Sequence, residues 1–120
     1  MKLGKFSSAE KLFINGIKLI SPTTVEYVLI LLQFGIYYKD NNKFDCAEEL
    51  LVKAVKIFPF DISFMELGKC YQSLNNLPFA EKCFHTAINM NGKQVQAWKE
   101  LSLIYNQRPQ MTDFCIQNNQ

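Results

Sequence analysis

Phe64-Met65-Glu66-Leu67-Gly68-Lys69-Cys70-Tyr71, followed beyond Asn75-Asn76-Leu77 by Ala80-Glu81-Lys82-Cys83-Phe84-His85-Thr86-Ala87, is the stretch on which the fold turns. Leu67, Tyr71 and Leu74 recur at three- and four-residue spacing, as do Ala80, Phe84, Ala87 and Ile88, so each half reads as an amphipathic helix. The short interval from Ser73 to Leu77 obliges the two helices to pack antiparallel. Small residues at Gly68 and Ala80 let the backbones approach, and the rings of Tyr71 and Phe84 fill what remains. Asn75 punctuates the turn, because Asn tolerates left-handed backbone almost as glycine does.

The same pattern runs through the chain. Gly35 and Gly68, Tyr38 and Tyr71, Phe44 and Leu77, Ala47 and Ala80, Leu51 and Phe84, and Ala54 and Ala87 all share one interval. Phe64 and Trp98, Leu67 and Leu101, and Tyr71 and Tyr105 share an interval longer by one. Asn42 stands where Asn75 does, and Pro59 and Gly92 each end a second helix. An earlier helix carries Ala9, Phe13 and Gly16 before Ser21-Pro22, and the step from Ala9 to Ala47 exceeds that from Ala47 to Ala80. That longer step predicts an extra turn near Thr23 to Tyr27 and a lengthened helix capped by Thr23 or Thr24. The expected map is helical at 6–20, 24–40, 44–57, 61–74, 77–90 and 94–107, with no strand.

These residues resemble the tetratricopeptide (TPR) signature W-x2-L-G-x2-Y, A-x3-F, P, over residues 3 to about 107. The resemblance implies an all-α solenoid of antiparallel helix hairpins. Whole repeats would occupy 23–60 and 61–93, flanked by half repeats at 1–22 and 94–107, with 108–120 a disordered non-repeat tail. Such units hide their apolar faces only against neighbours, and about three are ordinarily needed. The first helix, with Phe6, Leu12, Phe13, Ile17 and Leu19, and the last, with Trp98, Leu101 and Tyr105, each lack a partner helix. Two expectations follow: an excerpt or short isoform of a longer array, or an apolar end that docks on another copy or a partner subunit.

Composition narrows the function. With 48% apolar and 20% charged side chains in 120 residues, the chain is globular in type and about one domain long. Thirteen Lys and Arg oppose eleven Asp and Glu, and Arg108 is the one arginine. Lys2, Lys5, Lys11 and Lys18 face only Glu10 and read as a solvated face. Without arginine forks or a basic stripe, direct contact with nucleic acid is not expected. The run from Val28 to Tyr38, broken by Gln33, is too short to span a bilayer, and the Leu12 to Ile17 cluster is too broken for a secretory leader. An intracellular protein, cytoplasmic or nuclear, is expected.

Cys46, Cys70, Cys83 and Cys115 are unevenly spaced, with no C-x-x-C pair and one histidine in the chain, so no metal site is legible and reduced packing residues are expected. His85 lies two positions after Cys83, and such positions do not share a helix face. Glu48 and Glu49 with Lys53 and Lys56 read as a solvated, ion-paired face, and Gly68-Lys69 is no phosphate loop. Neither an enzyme nor a cofactor is expected.

The resemblance implies a concave groove, lined by the first helix of each unit, that accepts peptides. Its groove positions would fall on Leu29, Leu32, Gln33, Ile36 and Lys39, then Met65, Glu66, Lys69 and Gln72, then Lys99, Glu100, Leu103 and Asn106. For the apolar ones, ordinary packing against the next helix is the alternative. Chaperone-binding relatives grip a terminal carboxylate with polar side chains; here Leu32 and Ile36 replace a polar pair, and Glu66 would repel the ligand. An amphipathic helix or apolar segment suits the mixture better. The expected function is a non-catalytic interaction module or scaffold of a protein complex. Other readings are a targeting segment of a larger enzyme and an RNA-associated TPR protein.

Overall fold

A computed structural model describes residues 7–106; Phe6, the expected tail at 108–120, and with it Arg108 and Cys115, lie outside the described residues. Six helices follow one another: α1 (Ser8–Leu19), α2 (Val25–Asp40), α3 (Phe44–Ile57), α4 (Asp61–Ser73), α5 (Leu77–Met90) and α6 (Val95–Asn106). No strand occurs among the described residues.

Local chemistry sets the helix ends. Ser7 and Glu10 form a reciprocal capping box on α1: the Ser7 amide donates to Glu10 Oε1 at 2.9 Å, and the Glu10 amide donates to Ser7 Oγ at 3.1 Å. Thr24 caps α2, its hydroxyl accepting from the Tyr27 amide. The 16 residues of α2 against 13 in α4 match the extension predicted from the longer first step.

The two hairpin turns are built alike. Asn42 and Asn75 take positive φ, 64° and 61°. Beyond each, an amide returns to the helix: Lys43 N donates to Tyr38 O at 2.9 Å and Asn76 N to Tyr71 O at 2.8 Å. Asn42 N likewise bonds Lys39 O, and Asn75 N bonds Gln72 O, which completes a Schellman arrangement at both ends. The stop after α5 is different from the expectation. Asn91, in extended conformation, terminates that helix, its amide donating to Ala87 O, and Gly92 does not use the left-handed region.

Helix α2 packs most closely on α3 and α4 on α5, and α4 also lies against α3, as α6 does against α5 and α1 against α2. The closest approach inside each hairpin is a glycine under a large side chain. A Cβ built on Gly35 would lie 2.8 Å from Leu51, and one on Gly68 would lie 2.7 Å from the Phe84 ring. Leu51 and Phe84 are both fully buried, together with Ala47, Ala54, Ala80 and Ala87. Deleting such a large side chain typically costs about 3–5 kcal/mol.

A second recurring contact joins one hairpin to the next. The Tyr38 hydroxyl of α2 donates to Glu10 Oε2 of α1 at 2.7 Å, and the Tyr105 hydroxyl of α6 donates to Glu81 Oε2 of α5 at 2.9 Å. Between them, Tyr71 of α4 has Glu48 of α3 as its hydrogen-bond partner. Glu10, Glu48 and Glu81 directly follow Ala9, Ala47 and Ala80, and so repeat at the intervals of those alanines. Glu48 is therefore not part of a solvated, ion-paired face, and Glu10, 6% exposed, is no solvated counterion for Lys11 and Lys18. The hydrogen bond from Tyr38, with that from the Ser7 amide, holds the Glu10 carboxyl below its ordinary value of 4.5. Burial, and after it the facing carboxylate, pushes the Tyr38 and Tyr71 phenols up.

Candidate functional site

The first helices α2, α4 and α6 approach one another directly, α2 to α4 and α4 to α6, whereas α3 and α5 make no such approach. Closer spacing on one side of a row curves it toward that side. The face bearing α2, α4 and α6 is therefore the inner one, and a stripe at spacings of three and four residues along each helix lies on it.

Of the thirteen expected groove residues, three are buried: Leu32, Met65 and Glu66. Leu32 and Met65 are only 4% and 6% exposed and belong to the main core with Leu67, Cys70 and Phe84. They hold α2 against α4, the alternative weighed for apolar positions, because at that register the helices are too close to leave either side chain in solvent. Leu29, Gln33, Lys99, Leu103 and Asn106 are exposed; Ile36, Lys39, Lys69, Gln72 and Glu100 are half-buried. One residue absent from that set joins the face: Ile62, 46% exposed, stands one repeat interval after Leu29, itself 44% exposed. The spacing to Leu29 was the signal that would have found it.

At the centre of the face sits a charge cluster. Glu66, 8% exposed, has Lys39 Nζ 2.7 Å from Oε1 and Lys69 Nζ 3.9 Å from Oε2; Lys39 also lies 3.5 Å from Asp40. Glu66 and Lys39 come from neighbouring helices, so the pair crosses the α2–α4 seam. Burial pulls the Lys39 ammonium down, but the hydrogen bond and charge of Glu66 outweigh it and leave the amine above its ordinary value. Two cations and two anions close by leave the cluster neutral. Its Lys69 contact is the long one, and that ammonium is the least committed of the four groups.

Elsewhere the titratable groups are structural. Asp61 Oδ2, at the start of α4, accepts from Gln94 Nε2 at 2.9 Å and Asn91 Nδ2 at 3.1 Å, tying the α5–α6 connection to α4. Burial raises this carboxyl and the two amide hydrogen bonds outweigh it, so its pKa is lowered. Cys70 and Cys83 are buried, and burial pushes their thiols up to about 12 and about 11, which leaves them protonated and unreactive at neutral pH. Cys46, expected to be a packing residue, is exposed. His85 meets Tyr105 rather than Cys83, its Nε2 lying 3.1 Å from the Tyr105 hydroxyl on the exposed α5–α6 surface. Among the described residues no cluster of His, Cys, Asp and Glu has a metal-holding arrangement, and no helix is long and apolar enough to cross a membrane. No protein-family model matches this chain, and no curated protein matches it significantly.

Proposed function

We propose that the chain is a TPR-type helical array acting as a non-catalytic protein-interaction module, with the inner face of α2, α4 and α6 as its binding surface. The observation that carries this reading is the exposure of Leu29, Ile62 and Leu103 on that face, at 44%, 46% and 42%, around the Lys39–Glu66–Lys69 cluster. Three large apolar side chains held in water on the inner side of a curve favour a ligand that buries them, and isolated charges beside them fix its register. An amphipathic helix or apolar segment of another protein has that chemistry. The repeated hairpin construction, with glycine under Leu51 and Phe84 and asparagine at both turns, supports the family reading. The reading makes the chain an intracellular scaffold component without cofactor.

Selection of a displayed peptide library on the chain, followed by affinity measurement, tests this. Leu29→Glu with Ile62→Glu is the informative variant, because both side chains are exposed and the fold is spared; Leu32 and Met65 would report unfolding instead. Selected amphipathic peptides should bind the double variant at least tenfold more weakly at unchanged urea midpoint. Peptides that bind both proteins equally, or a library that yields no binder, would count against the inner face.

A further inference from the structure

The connections between helices fall on two edges of the array, and the edges differ. The tight turns at Asn42 and Asn75 make one. The connections 20–24, 58–60 and 91–94 make the other, and large apolar side chains stand in water at each of them: Leu19 and Val25 at the first, Ile57 and Phe58 at the second, Met90 and Val95 at the third. Leu19 is 85% exposed and Val95 75%. The second and third connections are neighbours in space, since Asp61 accepts from Asn91 and Gln94. Trp98 belongs to the same edge, its indole Nε1 donating to Gly92 O at 2.9 Å while the side chain stays 53% exposed. The start of α1 and the end of α6 lie at the turn edge instead. Ser7 Oγ meets the Tyr37 hydroxyl near the end of α2, and the Tyr105 hydroxyl meets Glu81 near the start of α5. The apolar edge is therefore built from interior connections alone.

Each connection also carries one exposed lysine: Lys18, Lys56 and Lys93. The helix dipole accounts for Lys18 and Lys56, in the last turns of α1 and α3, but not for Lys93, which stands beyond α5, nor for the apolar side chains beside all three. Two carboxylates oppose them: Glu26, exposed, and Asp61, whose Oδ2 is taken up by the two amides. The edge is net basic. We propose that it is a docking surface for an anionic lipid bilayer, with the ammonium groups among headgroup phosphates and the apolar side chains entering the acyl boundary. The spacing favours a bilayer over a protein, because the anchors sit on three separate loop tips, each with its own cation, and a fluid surface takes such a row without a shaped pocket. Lysine suits it too, its stem lying along apolar neighbours while its charge reaches the phosphates. Trp98, with its N–H already satisfied by Gly92, has the amphipathic ring that settles at headgroup level. Contact along this edge leaves the inner face open, so the proposal is independent of peptide binding there.

Trp98 is the one tryptophan of the chain and reports contact directly. The 120-residue chain is titrated with unilamellar vesicles of phosphatidylcholine alone, or of phosphatidylcholine mixed equally with phosphatidylserine, and binding is confirmed by co-sedimentation. Mixed vesicles should shift the Trp98 emission to the blue and carry the chain into the pellet. Phosphatidylcholine alone should do neither, and high salt should weaken binding to the mixture. Leu19→Glu with Val95→Glu alters the two most exposed large apolar side chains, and should weaken binding at least tenfold with helicity unchanged by circular dichroism. Lys56→Gln with Lys93→Gln should do the same. Lys11→Gln with Lys43→Gln removes equal charge toward the turn edge and should bind as wild type does. A chain that pellets with neither vesicle overturns the proposal and returns the edge to a protein partner. Equal binding to both vesicles overturns it as well, as does equal loss from the two lysine pairs or undiminished binding by the Leu19 and Val95 variant.

Discussion

Replacing Tyr38 by Phe removes one oxygen from the contact that ties α1 to α2. The ring stays: it stacks on Phe34 at 4.7 Å between centroids, and Phe keeps that contact along with the Lys43 ammonium 5.7 Å above the ring. Glu10 Oε1 keeps the Ser7 amide, while Oε2 loses its donor at 2.7 Å in a residue only 6% exposed. Hydrogen bonds to charged groups contribute about 1.5–3 kcal/mol, and leaving a buried acceptor unmet costs a similar amount. With Lys43 still lending its charge, about 2 kcal/mol is expected, which lowers the urea midpoint by about 1 M. The loss depends on pH in a fixed direction. The Glu10 carboxyl lies below its ordinary 4.5 in the folded chain, so its contribution is fully present above that value and disappears as pH falls through the depressed one. Urea titrations of both proteins should therefore differ by about 2 kcal/mol at pH 7 and by progressively less as the pH is lowered through the depressed value. A difference at pH 7 well under the about 0.5 kcal/mol that even an ordinary neutral hydrogen bond contributes would refute the assignment of Glu10 as the charged acceptor. So would a difference that persists unchanged at low pH.

Three further outcomes follow from the packing. Gly68→Ala should destabilise by about 1–2 kcal/mol in denaturant titration, because its new Cβ would lie 2.7 Å from the fully buried Phe84 ring, an overpacking cost that exceeds the helix-propensity gain. Ser63→Ala should be neutral or stabilise by about 1 kcal/mol in the same assay, since Ser63 Oγ is fully buried with no hydrogen-bond partner among the described residues. Lys39→Met should cost about 1–3 kcal/mol by stranding the Glu66 carboxylate, and adding Glu66→Leu should recover most of it; a double variant no more stable than Lys39→Met would break the pairing argument.

The helices and their pairing were legible in the chain because helix-period spacing and turn chemistry act over a few residues. Gly35 with Ala47, Gly68 with Ala80, and Asn42 and Asn75 at the turns name the hairpins directly, and the positive φ of both asparagines is what that reading requires. Thr24 as the cap of a longer α2 was equally local. What the spacing left open was depth. Leu32 and Leu29 are both apolar and nearly one turn apart on the same helix, yet one is core and the other surface, because the distance between α2 and α4 decides which side chain water still reaches.

The acidic residues make the same distinction. Nothing local separates Glu48, beside Glu49 and above Lys53, from a solvated carboxylate; its partner, Tyr71, lies on the next hairpin. Glu66 on α4 and Lys39 on α2 are likewise remote in sequence, with the whole of α3 between them, and 2.7 Å apart in space. By itself the sequence determined which segments coil, where they turn and which small residues allow close packing, since each rests on neighbours within a turn or so of helix. Only the tertiary structure decided which apolar side chains stay in water and which charges meet. Burial and electrostatics depend on distances between helices, and those are set by all the side chains between them at once.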